Sequence, residues 1–534
     1  MEMHFATVWE SIADAIPDHV AITHADNSRT WAEFDDRAAR IAQAFTDAGL
    51  GPESKIALYM YNSNEYMESH YAAFKMRGVA INVNYRYLDE ELWYLLDNSD
   101  SEAIVFHRSL AARVAHVVSR LPKLKLMIVV DDGPGADVPG AVEYEQVIAE
   151  HEPMERIERS EDDIYMLYTG GTTGMPKGVM YQIGGLTDGF IMQGFPMVGL
   201  EPPADASEVA SMVKNAIESS PRMVSIPCAP LMHGTGCWLG WFIPMCAGAE
   251  IVTLTNRSLD PHEVLQKIED HKATSITIVG DSFAKPLVRA IDEGKPDGGS
   301  YDLSSGVMWT TEVKQQMLER IEQAVLVDAM GSSEGSMGTQ ITMKGMSMDT
   351  AKFTQMPTTK VFTDDDREVV PGSDEVGMVA AGGNVPLGYY KDEEKSARTF
   401  RVIDGVRYSF PGDLAMVAED GTLILLGRGS QVINTGGEKV FPEEVEEAVK
   451  RVDGIVDCLV VGVEDEKFGQ AVTAVASLAE GAEVDEATVI AAVKNDLAGY
   501  KAPKSVVFVQ SVPRAPNGKA DYKAARSLAD GVPA

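Results

Sequence analysis

The sequence has few cysteines and no long uninterrupted apolar run. Its four cysteines among 534 residues include no CxxC pair, which excludes a disulfide framework and favours a reducing compartment. The first residues are acidic where a signal peptide needs a basic region, so we expect a cytoplasmic protein. The most apolar stretch, 237–249, is interrupted by Gly240 and Pro244. It is shorter than the roughly 18 to 20 residues that span a bilayer. We therefore predict a buried core segment there and no membrane span.

Positive charge is also scarce. The chain has 46 Lys and Arg residues against 81 Asp and Glu residues, a net charge of −35. Such a surface repels a phosphate backbone and releases no counterions from it, so we expect no nucleic-acid partner and no anionic membrane surface as a partner. An anionic substrate would have to be held by a few focused cations, backbone N–H groups or a metal ion.

The order of apolar and amphipathic segments predicts the architecture. Short apolar runs alternate with helical patterns over residues 29–130, and this alternation is typical of a parallel α/β sheet. After residue 429 the pattern changes to a compact set of two helices and three strands. We predict an α/β fold with a large, multi-lobed N-terminal body of α/β layers, residues 1–429. A small, mobile α+β C-terminal domain, residues 430–534, follows it.

The strongest local signal is the string YTGGTTGMPKG at 168–178. Its glycines allow close backbone approach to a ligand, its threonine hydroxyls can donate to phosphate oxygens, and its lysine adds charge. The spacing does not fit GxxxxGK[ST], because Lys177 follows a proline and precedes a glycine. Composition alone leaves a phosphate cradle and a flexible Gly/Thr turn both open. The candidate phosphate contacts are Thr169, Gly170, Gly171, Thr172, Thr173, Gly174 and Lys177.

This string resembles the signature loop of the AMP-forming adenylate synthetases, which include acyl-CoA synthetases, non-ribosomal adenylation domains and beetle luciferase. Further segments similar to those of the family follow in the same order, as far as Lys519. The resemblance implies an ATP-dependent acyl-CoA ligase, an acid–thiol ligase that forms acyl-AMP and pyrophosphate and then transfers the acyl group to CoA. It implies ATP, Mg²⁺ and coenzyme A as cofactors and a carboxylic acid as substrate.

The resemblance also implies roles for residues outside the loop. Glu334, in GSSEG, matches the family's Mg²⁺ ligand, and a carboxylate suits this hard cation. Thr169 is the second expected metal ligand. Lys519, in PNGK, matches the catalytic lysine, which acts with Lys177 and Glu334. Met330 stands where the family commonly has an aromatic residue. The other expected nucleotide contacts are Gly306, Val307, Gly331, Ser332, Ser333, Asp413 and Arg428.

Other segments are expected to hold the acid and the CoA chain. His233, Gly234 and Trp238 match the acyl pocket. Ser430 stands at the family's hinge position, where Asp or Lys is usual, and the loop expected to line the CoA tunnel contains Gly436, Gly437 and Glu438. All ten histidines precede residue 272, so the C-terminal domain supplies no imidazole base. None is needed, because a carboxylate is already ionised at neutral pH and can attack phosphorus directly.

The substrate class is implied less specifically. Strings such as GYYKDEEKSARTF resemble bacterial acyl-CoA synthetases for fatty acids and steroid side-chain acids, so we expect a medium-chain, long-chain or steroid-like acid. A carrier-protein loader, a luciferase-like oxygenase and a non-catalytic nucleotide-binding protein are the alternatives, and the question of a homodimer stays open. One set of bulky residues could either line a wide apolar pocket or belong to the core. These are Met192, Phe195, Met197, Met232, Trp238 and Trp241.

Overall fold

The computed structural model describes residues 2–169, 175–295, 311–321, 324–346, 352–428, 431–435, 438–465, 469–497, 499–515 and 519–531. Several predicted site residues lie outside these ranges: Gly170, Gly171, Thr172, Thr173, Gly174, Gly306, Val307, Ser430, Gly436 and Gly437. Within the ranges, no helix combines the length and the apolar character needed to cross a bilayer.

The helices follow the predicted alternation with strands. They are α1 (Phe5–Ala15), α2 (Trp31–Asp47), α3 (Asn64–Lys75), α4 (Asp89–Asn98), α5 (Ala111–Val117), α6 (Tyr144–Glu150), α7 (Ile183–Met197), α8 (Val209–Ser219), α9 (Ile243–Cys246), α10 (Pro261–His271), α11 (Asp281–Glu293), α12 (Thr311–Arg320), α13 (Glu393–Thr399), α14 (Pro442–Lys450), α15 (Glu486–Asp496) and α16 (Tyr522–Ala529). Short 3-10 turns cover Arg108–Leu110, Val118–Arg120 and Ala206–Glu208, and a π-helix covers Thr235–Phe242.

Two sheets form the first layers of the body. One is parallel throughout, in the order β4-β3-β5-β6-β7, and the other has the order β12-β10-β11-β1-β2. Their strands are β1 (Val20–His24), β2 (Asn27–Thr30), β3 (Lys55–Tyr59), β4 (Val79–Asn82), β5 (Ser101–His107), β6 (Leu126–Val130), β7 (Val142–Glu143), β10 (Val224–Pro227), β11 (Glu250–Thr253) and β12 (Ser275–Thr277). The α/β class predicted from the sequence is therefore confirmed, and most of the apolar stretch 237–249 is buried as predicted.

Antiparallel sheets carry most of the candidate site. A three-stranded sheet has the order β18-β9-β8, a seven-stranded sheet has the order β13-β14-β15-β22-β21-β17-β16, and β19 pairs with β20. Their strands are β8 (Ile164–Thr169), β9 (Lys177–Gln182), β13 (Leu326–Ser332), β14 (Gly335–Thr342), β15 (Lys352–Gln355), β16 (Lys360–Phe362), β17 (Gly377–Ala380), β18 (Gly388–Tyr389), β19 (Phe400–Ile403), β20 (Val406–Ser409), β21 (Asp413–Val417) and β22 (Leu423–Arg428).

The C-terminal part has a sheet and core of its own. Strand β26 pairs with both β25 and β27, and the sheet continues through β23 to β24. The strands are β23 (Ile433–Thr435), β24 (Glu438–Val440), β25 (Ile455–Asp465), β26 (Gly469–Leu478) and β27 (Ser505–Val509). Val445, Val460 and Val475 are fully buried within this unit.

Candidate nucleotide and acyl site

The predicted phosphate loop connects two hairpin strands. Strand β8 ends at Thr169 and β9 begins at Lys177, and these two residues are register partners. The buried amide of Asn82 fixes the end of β8, since its Oδ1 accepts from the Tyr168 N–H at 2.6 Å. Its Nδ2 donates to the carbonyls of Tyr168 at 2.8 Å and Met232 at 2.6 Å. One side chain thus joins the start of the loop to the segment that contains His233.

Glu334 lies at the turn of the β13–β14 hairpin. Gly331 to Ser333 lead into this turn, and the Glu334 N–H donates to the hydroxyl of Ser332 at 3.1 Å. The Tyr389 hydroxyl donates to Oε1 of Glu334 at 2.8 Å, while Tyr181 donates to the carbonyl of Ser333 at 2.9 Å. Two tyrosines therefore orient the predicted metal ligand and its turn.

Lys177 has a specific partner in the structure. Its Nζ lies 2.7 Å from Oδ2 of Asp392 and 5.7 Å from the ring centroid of Tyr389. The Lys177 ammonium holds the pKa of Asp392 below its usual range. A second ammonium, that of Lys395, lies 4.9 Å from the same ring centroid. Two lysine ammonium groups, rather than one, therefore lie close to the Tyr389 ring at the start of β9.

Two of the predicted nucleotide contacts come from adjacent strands. Asp413 begins β21 and Arg428 ends β22, and the two residues are cross-strand partners. Asp413 is buried, with 9% of its surface exposed. A buried carboxylate at a strand end can accept from two hydroxyls of a ribose. Glu438, from the expected CoA loop, lies in β24 opposite Thr435.

His233 lies just before the π-helix. Burial lowers the pKa of His233 to about 4, and the positive charges of Lys519 and Arg86 act in the same direction. The His233 imidazole is neutral at neutral pH.

The other acyl-pocket candidates surround this point. A Cβ on Gly234 would lie 3.3 Å from Leu167 and 3.6 Å from the Trp238 ring. The indole of Trp238 donates to the Tyr165 hydroxyl at 2.8 Å and its ring packs edge-on against Tyr181. A π-helix widens the turn by one residue and occurs often at functional sites. Trp238 stays partly exposed.

The six bulky candidates divide between core and surface. Phe195, Met232 and Trp241 are buried in the hydrophobic core, so the core interpretation is confirmed for them. Met192 and Met197 are exposed at 49% and 47%. Trp238 is the member of the set that borders the predicted acyl pocket.

A basic cavity of about 440 Å³ is lined by three arginines. Arg257 stacks over Tyr61 at 4.3 Å and pairs with Asp132 at 2.9 Å. Arg86, which acts on His233, also lines it. The lining residues are Tyr61, Tyr85, Arg86, Ser109, Leu110, Ala112, Arg113 and Arg257.

The residues present fit a magnesium ion carried with phosphates. Among the described residues there is no group of three or more His, Cys, Asp and Glu side chains that could hold a metal on its own. Mg²⁺ usually takes one or two protein carboxylates and completes its shell with phosphate oxygens and water. The Glu334 carboxylate and the Thr169 hydroxyl provide this kind of oxygen donor.

Sequence reasoning missed four residues that build the site: Asn82, Tyr389, Asp392 and Lys395. Three of them lie in the string GYYKDEEK, whose family resemblance assigns no role to any one residue. The signal available there was an aromatic pair followed by closely spaced charges of both signs. Asn82 ends an apolar strand, where a polar side chain is a candidate site residue in a parallel sheet.

Comparison with known proteins identifies the family. Residues 9–390 match the AMP-binding enzyme family and residues 444–519 match the AMP-binding enzyme C-terminal domain. The chain is 40% identical to a 3-oxocholest-4-en-26-oate–CoA ligase of Rhodococcus rhodochrous, over 98% of this chain and 96% of that protein. It is 39% identical to a medium/long-chain-fatty-acid–CoA/3-oxocholest-4-en-26-oate–CoA ligase of Mycolicibacterium smegmatis, over 100% and 98%.

A solved structure extends the match to the fold. ATP-bound MatB from Rhodopseudomonas palustris superposes with a TM-score of 0.82 at 24% identity, covering 99% of both chains. The family assignment and the acyl-CoA synthetase class predicted from the motifs are confirmed. The chain belongs to the AMP-binding enzyme family.

Proposed function

We propose that this chain is an AMP-forming acyl-CoA ligase for medium-chain, long-chain or steroid side-chain acids. The observation that carries the proposal is the contact of the phosphate and metal candidates with one tyrosine. The Lys177 ammonium lies 5.7 Å from the Tyr389 ring centroid, and the Tyr389 hydroxyl donates to Glu334 at 2.8 Å. The positive charge of Lys519, from the C-terminal unit, also acts on His233. Lys177 and Glu334 lie at the phosphate side of the same site.

The adenylation half-reaction is mainly a matter of positioning and charge stabilisation. The acid carboxylate attacks the α-phosphorus, the bond to the bridging oxygen breaks, and pyrophosphate leaves with the electron pair. Lys519 neutralises charge that develops at the α-phosphate, while Lys177 and the Thr169 hydroxyl contact the β and γ phosphates. Bound Mg²⁺, held by Glu334 and Thr169, would neutralise phosphate charge. Asp413 and Arg428 hold the ribose.

In this proposal His233 is a neutral polar side chain of the acyl pocket and does not act as a base. Because its pKa is about 4, the imidazole is uncharged at neutral pH and does not compete with Lys519 for the acid carboxylate. Trp238 and Gly234 border the acyl chain. The indole of Trp238 is partly exposed and can contact the acid.

The thioester half-reaction requires a second arrangement of the C-terminal unit. We place the domain boundary at 429/430 with Ser430 as the hinge; rotation there withdraws Lys519 and brings in the loop with Gly436, Gly437 and Glu438. The CoA thiol then attacks the acyl carbonyl, and AMP leaves. One site serving two steps accounts for a small mobile domain.

The basic cavity is suited to the nucleotide end of CoA. It is lined by three arginines, whose guanidinium groups bind phosphates in bidentate fashion. In a chain with a net charge of −35, such a local concentration of arginine is what an anionic substrate requires. Arg86 connects this cavity electrostatically to His233.

The substrate class rests on the relatives, whose names specify medium- and long-chain fatty acids and 3-oxocholest-4-en-26-oate. A carrier-protein loader would share the ATP site but would form no acyl-CoA. A non-catalytic nucleotide-binding protein would have no need of Lys519 at His233. The four cysteines are free, which is compatible with the reducing environment of the cytoplasm. A homodimer stays a prediction.

The deciding experiment is ATP-dependent pyrophosphate release with acetate, benzoate, octanoate, palmitate and a steroid carboxylate, each with and without CoA. We expect release with the larger apolar acids, acyl-CoA only when CoA is present, and loss of the adenylation step in Lys519→Ala. Lys523→Ala is the matched control, because this exposed lysine lies four residues further along the same unit. Pyrophosphate release without a thioester would instead identify a carrier-protein loader, and no release with any acid would refute the ligase.

A further inference from the structure

Two lysine ammonium groups lie close to one tyrosine ring at the start of β9. The ammonium of Lys177 lies 5.7 Å and that of Lys395 lies 4.9 Å from the ring centroid of Tyr389. The pairing of Tyr389 with Val179 brings these segments together, since β18 runs antiparallel to β9. Lys395 is in the first turn of α13, which begins shortly after this strand. Segments more than 200 residues apart therefore deliver two cations to one place.

One carboxylate serves both segments. Oδ2 of Asp392 accepts from the Lys177 ammonium at 2.7 Å, and its Oδ1 accepts from the backbone N–H of Lys395 at 3.1 Å. Asp392 thus caps α13 and holds Lys177 at the same time. The nearby Glu334 carboxylate accepts from the Tyr389 hydroxyl.

In the ligand-free chain, the positive charges of the two ammonium groups repel each other. Burial lowers the pKa of Lys395, and Lys177 lowers it further, against the opposing effects of Glu334 and Asp392. A polyanion that contacts both lysines would offset this repulsion. It carries more negative charge than the single Asp392 carboxylate that the two segments share. The site therefore has the charge arrangement of a binding site for a phosphate chain.

We propose that Lys395 is a second phosphate-binding residue, which acts together with Lys177 on the pyrophosphate end of ATP. This inference rests on the proposed function and extends it. As the bond between the α-phosphorus and the bridging oxygen breaks, negative charge accumulates on the departing pyrophosphate, and both ammonium groups stabilise it. Asp392 keeps Lys177 beside the loop until the phosphates replace it as partner.

The test is the dissociation constant of magnesium pyrophosphate, measured by isothermal titration calorimetry. We expect Lys395→Met to weaken binding about ten- to hundredfold, the usual range for losing a bond between charged groups. Lys395→Arg keeps the charge and should weaken binding less. The matched control is Lys391→Met, because Lys391 lies in the same segment but pairs with Asp100 at 2.8 Å. It should bind like the wild type.

A second readout separates binding from a structural role. Because pyrophosphate restores the pKa of Lys395, the wild type should take up protons on binding at alkaline pH, and Lys395→Met should take up fewer. If the wild type binds pyrophosphate and Lys395→Met shows the same affinity and the same proton uptake, the inference about Lys395 is wrong. The proposed function would not be affected by that result. A wild type that binds neither pyrophosphate nor ATP would overturn the proposed function together with the inference.

Discussion

The hydroxyl of Tyr389 donates to Oε1 of Glu334 across 2.8 Å, and this bond joins strand β18 to the turn of the β13–β14 hairpin. Burial and the Glu334 carboxylate raise the pKa of Tyr389, so the phenol keeps its proton and remains a donor at neutral pH. The bond leaves the second oxygen of Glu334 for other partners. Tyr389 therefore fixes the direction of the carboxylate that we expect to bind magnesium.

Tyr389→Phe should slow adenylation because it removes this donor and keeps the ring that both lysines approach. We expect a decrease of about tenfold in the rate of pyrophosphate release, with a higher magnesium concentration needed for half-maximal rate. Magnesium titrations of the adenylation rate measure both effects. Tyr390→Phe is the control, since that hydroxyl bonds to Asp100 at 2.7 Å, away from Glu334. Equal losses in the two variants would contradict the role given to Tyr389.

Asn82→Ala should reduce both stability and activity. The change leaves a buried N–H and two buried carbonyls without their partner, which costs about 2 to 4 kcal/mol of the free energy of unfolding. Denaturant unfolding gives the stability, and pyrophosphate release gives the activity. Asn98→Ala is the comparison, because it removes a half-buried bond of 2.7 Å to the Tyr168 hydroxyl. It should cost less than about 1.5 kcal/mol. Similar costs for both would show that Asn82 does not join the loop to the His233 segment.

The apolar pattern of the sequence predicted the alternation of strands and helices in the N-terminal body. The alternation of apolar runs and helical patterns predicted over residues 29–130 is confirmed, for example by β3, α3, β4 and α4. Such features depend on short segments, whose patterns are visible in the chain itself.

The contacts that were missed depend on register between distant segments. Lys177 and Asp392 are 215 positions apart, and the pairing of β18 with β9 places them together. The π-helix at Thr235–Phe242 was also missed. Within it, Gly236 lies close to the carbonyl of Pro230 and Gly240 lies close to Pro227. Tertiary contacts of this kind leave no periodic signal.

Lys285→Met should affect the two half-reactions differently. The Lys285 ammonium, in α11 of the N-terminal body, donates to the carbonyl of Val456 in the C-terminal unit at 2.8 Å. Losing this bond disfavours the arrangement with Lys519 near His233, so we expect adenylation to slow about threefold to tenfold. Transfer from preformed acyl-AMP to CoA should not slow. Rapid-quench measurement of each half-reaction makes the comparison.

The control for Lys285 is Lys267→Met, which removes an ammonium that donates to the Ala25 carbonyl at 3.3 Å within the N-terminal body. It should leave both half-reactions unchanged. A parallel loss in both half-reactions of Lys285→Met would mean that the contact supports folding rather than one domain arrangement.

His70→Phe should stabilise the protein, most of all in acid. Burial lowers the pKa of His70 to about 3, and within the described structure neither ring nitrogen has a hydrogen-bond partner. The unfolded chain binds a proton on this side chain below about pH 6.5, whereas the folded chain does not until about pH 3. The free energy of unfolding therefore decreases by about 1.4 kcal/mol for each pH unit as the pH falls from about 6.5 to about 3.

Phenylalanine removes both the titration and the two unpartnered nitrogens, and it suits a position among Phe74, Trp241 and Phe242. We expect about 1 to 3 kcal/mol of added stability at neutral pH and a larger gain at pH 5. His107→Phe separates the two effects. The pKa of His107 is also lowered, to about 4, but its Nδ1 accepts from the Tyr61 N–H at 3.0 Å. This control should lessen the acid sensitivity while lowering stability at neutral pH. Urea unfolding over pH 5 to 8 measures both slopes, and an unchanged slope in His70→Phe would show that this histidine is protonated in the folded chain.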